Sequence, residues 1–400
     1  MNIVFVSHSA FDTNLVVGSH HLARQCAELG HQVVHISSPI TPLHLLKGFD
    51  RRIRSRLLRT RSGPRLMERN LWEWVPFSAI PWQVAARSRL ATKNLFVPSE
   101  RSLKCGLKKM GMVAVDLLFM DEPRLIGIEK ILKPKRFAYR ATDIYSQMKN
   151  DPRITLAERL ACDRADLRIG TSRPVARHLQ ALTGKPAIVV ENGVDLKHFS
   201  SRTKEHPSLG GIARPRVVYV GAVDFRFDMA LVERLAVAHP QVQFLIYGPI
   251  SIPTVISPPP NLVFLGPLPY DELPSVLQHC DVGLLPMNDH PANNGRSPMK
   301  YYEYAAAGSP VLSRNTDEIN LRIDVPVMTY SDFRSASAAL VTLLNSSPSL
   351  PSLEQHSWST KASFLINELS AGLLSNDAKS HDDRSLVNSS SNKNTLSAAT

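Results

Sequence analysis

Two oppositely charged side chains, Lys300 and Glu303, lie three residues apart in the run S-P-M-K-Y-Y-E-Y-A-A-A-G-S-P-V-L. Ser297 is suited to cap a helix over this run, and Gly308 is suited to end it. Lys300 and Glu303 then share one helix face. A lysine beside the free N–H groups of a helix N-terminus binds anions, and a carboxylate one turn further on can accept hydrogen bonds from paired hydroxyls. This spacing predicts a nucleoside diphosphate site, with Lys300 on the phosphates and Glu303 on the ribose.

The same two residues also fit a surface helix with an i,i+3 ion pair, which contributes roughly 0.2–0.5 kcal/mol. The wider run favours the binding site. It resembles the nucleotide-sugar motif of GT-B glycosyltransferases, whose pattern is S-P-x-K-x-x-E-Y-x-A-x-G-x-P-V. The resemblance implies a donor site formed by residues of the second half of the chain: Gly221, Tyr247, Ser297, Met299, Lys300 and Glu303. UDP is the expected nucleotide.

One position departs from the pattern of many retaining members of this family. They carry a second glutamate eight residues before the first, and that position is Gly295 here. The departure favours an inverting reaction, in which a base takes a proton from the acceptor hydroxyl.

The order of strands and helices predicts an α/β protein with two Rossmann-like domains, and the resemblance to GT-B glycosyltransferases implies that the two domains face a cleft. Residues 2–7 and 31–37 are apolar, β-branched runs, and a helix over 20–29 with Ser19 as its cap lies between them. The dinucleotide fingerprint G-x-G-x-x-G is absent. Proteins of the resembling family use the first loop for the acceptor, and four residues lie near it: His8, Asp12, His20 and His21. Each can be a hydrogen-bonded structural residue or a contact of the substrate, and we take His20 as the candidate catalytic residue.

A second catalytic candidate follows a predicted strand over residues 136–140. Asp143 ends the sequence Y-R-A-T-D, which resembles Y-R-A-S-D in xanthan-type glucuronosyltransferases. The resemblance implies that Asp143 is the base and that a uronic acid is a candidate donor sugar, with Arg296 as a candidate residue for binding its carboxylate. Arg140 is expected to hold Asp143 by an ion pair. The alternative is that Asp143 only caps the next helix.

The length of 400 residues predicts two domains. We assign residues 1–199 to an acceptor-binding domain, 200–216 to a linker and 217–352 to the donor-binding domain. Residues 353–370 resemble the helix that crosses back to the first domain. A Ser/Asn-rich stretch, 371–400, is expected to be disordered.

Four cysteines occur in the chain, and none forms a C-x-x-C pair, so neither a zinc site nor a redox motif is indicated. No D-x-D sequence suggests a divalent ion, and the lysine would meet the diphosphate charge. We therefore expect a metal-independent enzyme with no cofactor besides the nucleotide sugar. The first ten residues lack the features of a signal peptide, and no run of 18 apolar residues occurs. The expected location is the cytoplasm.

The basic residues are concentrated in one zone, residues 47–109. It holds 16 Lys and Arg against four acids, an excess equal to the net charge of +12 of the whole chain. Three tryptophans, Trp72, Trp74 and Trp82, lie in the same zone. Arginines beside tryptophans favour peripheral docking on the anionic inner face of the plasma membrane. The alternatives are a solvated arginine-rich helix or, less favoured, nucleic-acid binding.

Together these features predict a glycosyltransferase of exopolysaccharide or cell-surface glycan synthesis that uses a lipid-linked saccharide acceptor. Two alternatives stay open. A nucleotide-sugar epimerase shares the architecture but would turn over donor without an acceptor. A nucleic-acid-binding protein would use the basic zone and would not depend on Lys300.

Overall fold

The computed structural model describes residues 1–11, 16–46, 51–85, 100–148, 151–253, 257–322, 325–346 and 352–371. The elements named below lie within these ranges. The predicted tail from residue 372 onward and parts of the basic zone, 47–50 and 86–99, lie outside them. No helix in the described part of the chain is long and apolar enough to cross a membrane.

The first domain is built on an eight-stranded sheet in the order β3-β4-β2-β1-β5-β6-β7-β8. All neighbouring strands are parallel except β3 and β4. The strands are β1 Asn2–Ser7, β2 Gln32–Ser37, β3 Arg65–Glu68, β4 Leu71–Trp74, β5 Leu117–Met120, β6 Arg136–Ala141, β7 Leu167–Gly170 and β8 Ile188–Val189.

Helices cover both faces of this sheet, as a parallel sheet requires. They are α1 Gly18–Glu28, α2 Pro42–Leu46, α3 Arg51–Ser62, α4 Trp82–Ala85, α5 Glu100–Lys109, α6 Ile128–Leu132, α7 Tyr145–Met148, α8 Pro152–Arg164 and α9 Arg173–Thr183. Helix α1 buries Leu22 and Cys26 against Ile3 and Phe5 of β1. Helices α5, α6, α8 and α9 pack on the opposite face.

The second domain has a six-stranded, all-parallel sheet in the order β11-β10-β9-β12-β13-β14. Its strands are β9 Arg216–Val220, β10 Gln243–Tyr247, β11 Leu262–Gly266, β12 Val282–Leu285, β13 Val311–Arg314 and β14 Val327–Tyr330. Its helices are α10 Leu196–Ser200, α11 Met229–Ala238, α12 Leu273–Leu277, α13 Met299–Ala306 and α14 Phe333–Leu344. The predicted pair of doubly wound domains is confirmed.

The last described helix, α15 over residues 358–371, returns to the first domain. Its Trp358, Leu365 and Leu369 are buried in the same cluster as Phe5 and Leu22. The assigned linker is folded on the second domain, because Leu209 is buried in that domain's core.

Two predicted helix caps are wrong. Helix α1 starts at Gly18, one residue before the predicted cap, because the Ser19 hydroxyl contacts His35 Nε2 at 3.2 Å. Helix α13 starts at Met299 with Pro298 as its N-cap, and the hydroxyl of Ser297 is used elsewhere. Gly308, with φ +96°, ends α13 in the left-handed conformation that its position requires.

Candidate active site

A cleft of about 320 Å³ lies between the two domains. Its walls are formed at the carboxyl ends of strands in both sheets, which is where open α/β sheets bind ligands. The first domain contributes His8, Gly18, Asp121 and Asp143, and the second contributes Gly221, Asp224, Arg226, Arg296, Ser297, Met299 and Lys300. Five of the eight residues predicted for the site therefore line one cavity.

The second-domain wall carries the predicted lysine at the start of α13. Lys300 Nζ lies 2.7 Å from Glu303 Oε2. The i,i+3 ion pair is therefore formed, and it is formed at the position predicted for the nucleoside diphosphate site. Glu303 is buried, whereas Lys300 keeps about a fifth of its side chain exposed. The lysine faces the cleft, and the carboxylate lies one turn behind it. A phosphate could replace Glu303 as the lysine's partner and leave the carboxylate free.

Ser297 joins the two domains at this wall. Its hydroxyl accepts hydrogen bonds from the Asn192 backbone N–H at 3.1 Å and from Arg322 Nη2 at 2.8 Å. The Asn192 side chain also donates to the Ser297 carbonyl at 2.7 Å. These bonds explain why Ser297 does not cap α13, and they fix the segment that leads into Lys300.

The neighbouring Gly295 is pressed against the first domain. A Cβ added there would lie 3.3 Å from Ile144 Cδ1 and 3.5 Å from Val175 Cγ2, and the Gly295 carbonyl accepts a 2.7 Å bond from the Ser172 hydroxyl. A side chain at this position would therefore require the Ile144 side chain to shift by a few tenths of an ångström.

Gly221 and Tyr247 lie at the ends of adjacent strands, but only one of them reaches the cleft. Gly221 lines it, and a Cβ there would come within 2.8 Å of the Tyr219 hydroxyl. Tyr247 is buried in the core of the second domain, with its hydroxyl 2.6 Å from the Ser208 hydroxyl. Its side chain is not brought to the cavity.

On the first-domain wall, Asp143 follows β6 and lies in the cleft. Its Oδ2 accepts a 3.2 Å hydrogen bond from the Thr142 hydroxyl. Burial raises the pKa of the Asp143 carboxyl above its ordinary value, and the guanidinium groups of Arg296 and Arg226 oppose that rise. A carboxylate with a raised pKa is a better proton acceptor.

The expected ion pair between Arg140 and Asp143 is wrong. Arg140 is fully buried in β6, where its Nη1 donates to Asp121 Oδ2 at 2.9 Å and its Nη2 to Asn192 Oδ1 at 2.6 Å. Asp143 lies beyond the strand end, where the chain has left the sheet. Arg296 and Arg226, from the opposite domain, are the cations whose charge Asp143 experiences.

His20 is placed under the cleft rather than in it. It is buried, its Nε2 lies 3.3 Å from the Ser9 carbonyl, and its ring stacks on Phe11 with centroids 4.4 Å apart. The exposed His8, which directly follows β1, is the histidine that lines the cavity.

Sequence reasoning gave no role to Asp121 or Arg226. Asp121 directly follows β5, and Arg226 lies in the loop after β9. Their positions after parallel strands are the feature of the sequence that could have indicated a place in the cleft. Arg226 is bound to Asp224 with 2.6 Å between Nη2 and Oδ2. The guanidinium of Arg296 makes no hydrogen bond or ion pair with the described residues, and its pKa is lowered by burial and by the nearby Arg226.

Comparison with known proteins supports the reading of the second domain. Residues 228–349 match the model of a family described as Glycosyl transferase-like. TuaH of Bacillus subtilis, whose name assigns it to teichuronic acid biosynthesis as a glycosyltransferase, is 30% identical over 135 residues. That alignment covers 32% of this chain and 34% of TuaH, so the chain aligns with about a third of that relative.

Solved structures match over nearly the whole chain at low identity. Anabaena HepE, in complex with UDP and glucose, is 13% identical with a TM-score of 0.56, covering 96% of this chain and all of HepE. The catalytic domain of Arabidopsis thaliana starch synthase IV, bound to ADP and acarbose, is 12% identical with a TM-score of 0.57, covering 96% and 99%. At such identities the likeness establishes the fold.

The chain therefore has the GT-B fold, as its sequence predicted. Its second domain carries a glycosyl transferase-like domain that contains Lys300 and Glu303.

Proposed function

We propose that this protein is a glycosyltransferase that moves a sugar from a UDP-linked nucleotide sugar to a saccharide acceptor in polysaccharide synthesis. The observation that carries the proposal is the position of Lys300. It faces an interdomain cleft at the first turn of α13, inside the segment that matches the glycosyltransferase family. TuaH is named for teichuronic acid synthesis, and HepE was solved with UDP and glucose, which supports this choice of reaction and donor.

The donor would bind by exchanging one ion pair for another. Lys300 would leave Glu303 for the diphosphate, where the free N–H groups at the start of α13 add to the positive potential. Glu303 would then accept hydrogen bonds from the ribose hydroxyls. With the diphosphate charge met in this way, the proposed reaction includes no metal ion.

Asp143 would act as the base from the opposite wall. It would take the proton from the acceptor hydroxyl as that oxygen forms a bond to the anomeric carbon. The bond between the anomeric carbon and the diphosphate oxygen breaks in the same step, and the nucleoside diphosphate leaves with its electron pair. Attack from the face opposite the leaving group inverts the anomeric configuration.

The surroundings of Gly295 support the inverting course. The glutamate that retaining relatives carry there would meet Ile144 and Val175 within about 3.5 Å of its own Cβ. With no carboxylate at that position, Asp143 is the better-placed group to assist the reaction.

Two arginines support an acidic donor sugar. Arg226 and Arg296 line the cleft near Asp143, and Arg296 has no ion-pair partner among the described residues. A carboxylate on the sugar would supply that partner, because guanidinium groups bind carboxylates with paired hydrogen bonds. The proposed donor class is therefore a nucleoside diphosphate uronic acid.

A membrane-bound acceptor is supported by one face of α3. Leu58 is 64% exposed between Arg54 and Arg61, which are also exposed and lie at helical spacing from it.

The tryptophan part of the sequence hypothesis needs correction. Trp74 is buried in the core of the first domain, and Trp82 lies under Arg124 and Arg153 at 5.7 and 5.5 Å.

The reaction can be tested by release of nucleoside diphosphate. Purified protein is given UDP-glucose or UDP-glucuronic acid, with and without an extract of bacterial membrane lipids. Release that requires the extract supports the proposal, and product anomers read by NMR test inversion. Donor conversion without any acceptor would indicate an epimerase instead.

A further inference from the structure

Glu318 is a fully buried carboxylate of the second domain that contacts both domains. It lies between β13 and β14. Its Oε2 accepts a 2.9 Å hydrogen bond from the backbone N–H of Arg173, the first residue of α9 in the first domain. Its Oε1 accepts a 2.9 Å bond from Arg322 Nη2, within the second domain. One side chain therefore joins the start of α9 to a buried arginine of the other domain.

Arg322 carries this contact to helix α13. Its Nη2 also donates to the Ser297 hydroxyl at 2.8 Å. Its guanidinium lies over the rings of Tyr301 and Tyr302, 5.5 and 5.4 Å from their centroids. Ser297 directly precedes the N-cap of α13, and both tyrosines are in the first half of that helix. Arg322 therefore fixes the start of the helix that carries Lys300.

A second set of hydrogen bonds leads from the same serine to the wall of the first domain. Asn192 donates to Ser297 through its backbone and its side chain, and its Oδ1 accepts from Arg140 Nη2 at 2.6 Å. Arg140 in turn donates to Asp121, which lines the cleft. The hydrogen bonds thus run from the first-domain wall through Asn192 to α13, and from there through Glu318 back to the first domain.

The stability of the fold does not by itself account for this buried ion pair. Two buried charges lose about as much free energy by desolvation as they gain by attraction. The pair does favour one placement of the domains, because Glu318 Oε2 meets its donor only when α9 lies against it. Beside that contact, the Ser172 hydroxyl donates to the Gly295 carbonyl at 2.7 Å. Two hydrogen bonds at the start of α9 therefore set where the second domain lies.

This placement decides how the two walls of the cleft face each other. Asp143 belongs to the first domain, whereas Lys300 and Arg296 belong to the second. A misplacement of about 1 Å between reacting groups can lower a rate by about 10²-fold. The cleft lining in the described part of the chain does not include Glu318, so this residue can act on the reaction only through its neighbours.

On the basis of the glycosyltransferase function proposed above, we infer that Glu318 is a positioning residue for sugar transfer. It binds the N-terminus of α9 and, through Arg322, the segment that leads into α13. In this way it holds the base of one domain opposite the donor site of the other. Its loss should slow transfer far more than it weakens nucleotide binding.

The first test changes the contact from the first domain. Arg173→Pro deletes the N–H that Glu318 accepts, and proline is well tolerated at the first position of a helix. Arg173→Ala keeps the N–H and loses only an exposed side chain, so it is the matched control. Nucleoside diphosphate release with UDP-glucose or UDP-glucuronic acid and the lipid extract gives kcat, and calorimetry gives the Kd for UDP. Arg173→Pro should lower kcat about tenfold while the Kd stays within about twofold, and Arg173→Ala should change neither.

The second test changes the contact from the second domain. Glu318→Ala also takes the partner from Arg322, so kcat should fall about 10²-fold. Its control is Glu158→Ala, which removes another fully buried carboxylate, one that pairs with His178 inside the first domain at 2.9 Å. Small-angle X-ray scattering of the UDP-bound proteins measures the domain arrangement. The radius of gyration should exceed that of the wild type in Glu318→Ala and Arg173→Pro, and in neither control.

The comparison within each pair decides the inference. It is overturned if Arg173→Pro matches Arg173→Ala in kcat and in radius of gyration. It is also overturned if Glu318→Ala loses no more activity than Glu158→Ala. Should Glu318→Ala not fold, the Arg173 pair decides alone. A wild-type protein that releases no nucleoside diphosphate would count against the proposed function, and the scattering data would still show whether Glu318 holds the two domains together.

Discussion

The two walls of the cleft are built in different ways. On the second-domain side, the predicted donor residues Ser297, Met299, Lys300 and Glu303 come from seven consecutive residues that form a turn and one short helix, beside Gly221, Asp224 and Arg226 from the loop after β9. On the first-domain wall, His8, Asp121 and Asp143 come from the ends of three separate strands. A contiguous segment leaves a motif in the sequence, whereas residues that come from separate strand ends do not. The predictions below test whether the first-domain wall performs the chemistry and the second-domain wall holds the donor.

The largest effect is expected from Asp143→Asn. The variant keeps the size of the side chain but cannot take a proton, so the rate of transfer should fall by about 10²–10⁴. UDP binding should persist, because the donor is held by the other wall. The measurement is nucleoside diphosphate release beside calorimetric titration with UDP. Thr171→Ser, which alters a neighbouring buried residue without touching a carboxylate, serves as the control.

If the Asp143→Asn variant keeps a turnover near that of the wild type, Asp143 is not the base. Asp121 would then be the next carboxylate to consider.

The pH dependence of the wild-type enzyme follows from the same group. Burial raises the pKa of Asp143, so its basic form is present only above that raised pKa. The ratio kcat/KM should therefore fall about tenfold per pH unit below it. In Arg296→Gln, which removes an opposing cation, the falling limb should move to higher pH. A limb that stays in place would show that Arg296 does not act on the base.

Arg296→Gln should also change donor selectivity. Loss of one charge-assisted bond weakens binding by about tenfold, and the loss should be confined to UDP-glucuronic acid. Calorimetry with UDP, UDP-glucose and UDP-glucuronic acid makes the comparison. Arg234→Gln, in the same domain but over Phe333, is the matched control.

Equal weakening of all three ligands would assign Arg296 to the diphosphate. A wild-type protein without preference for the uronate would end the proposal of an acidic donor sugar.

A smaller effect is expected for membrane docking. Exchanging Arg54 and Arg61 for glutamate should weaken binding to vesicles of phosphatidylglycerol and phosphatidylcholine, since each basic residue near such a surface contributes about 1 kcal/mol. Arg177→Glu with Arg202→Glu makes the same charge change on other exposed positions. Co-sedimentation measures both. Equal loss of vesicle binding in the two double variants would show that binding depends on the net charge of the protein and not on this face of α3.

The comparison of the walls also explains what could be predicted from the sequence. The architecture followed from alternating strand and helix patterns, and Lys300 followed from a local motif. The pairing of Arg140 was predicted wrongly. The direction of its side chain from β6 decides which carboxylate it meets, and that carboxylate belongs to Asp121, which is 19 residues away in the sequence. The proximity of Arg226 and Arg296 was not predicted, because it depends on how two loops of the second domain fold together.

The most direct test of the central claim is thermal stabilisation by nucleotides. A ligand present at 100 times its Kd stabilises the folded protein by about 2.7 kcal/mol, which raises the melting temperature measurably. Wild-type protein, Lys300→Ala and the surface control Lys185→Ala are heated with UDP, GDP and ADP. The account predicts a shift with UDP that Lys185→Ala keeps and Lys300→Ala loses. No shift with any nucleotide, or the same shift in Lys300→Ala, would contradict it.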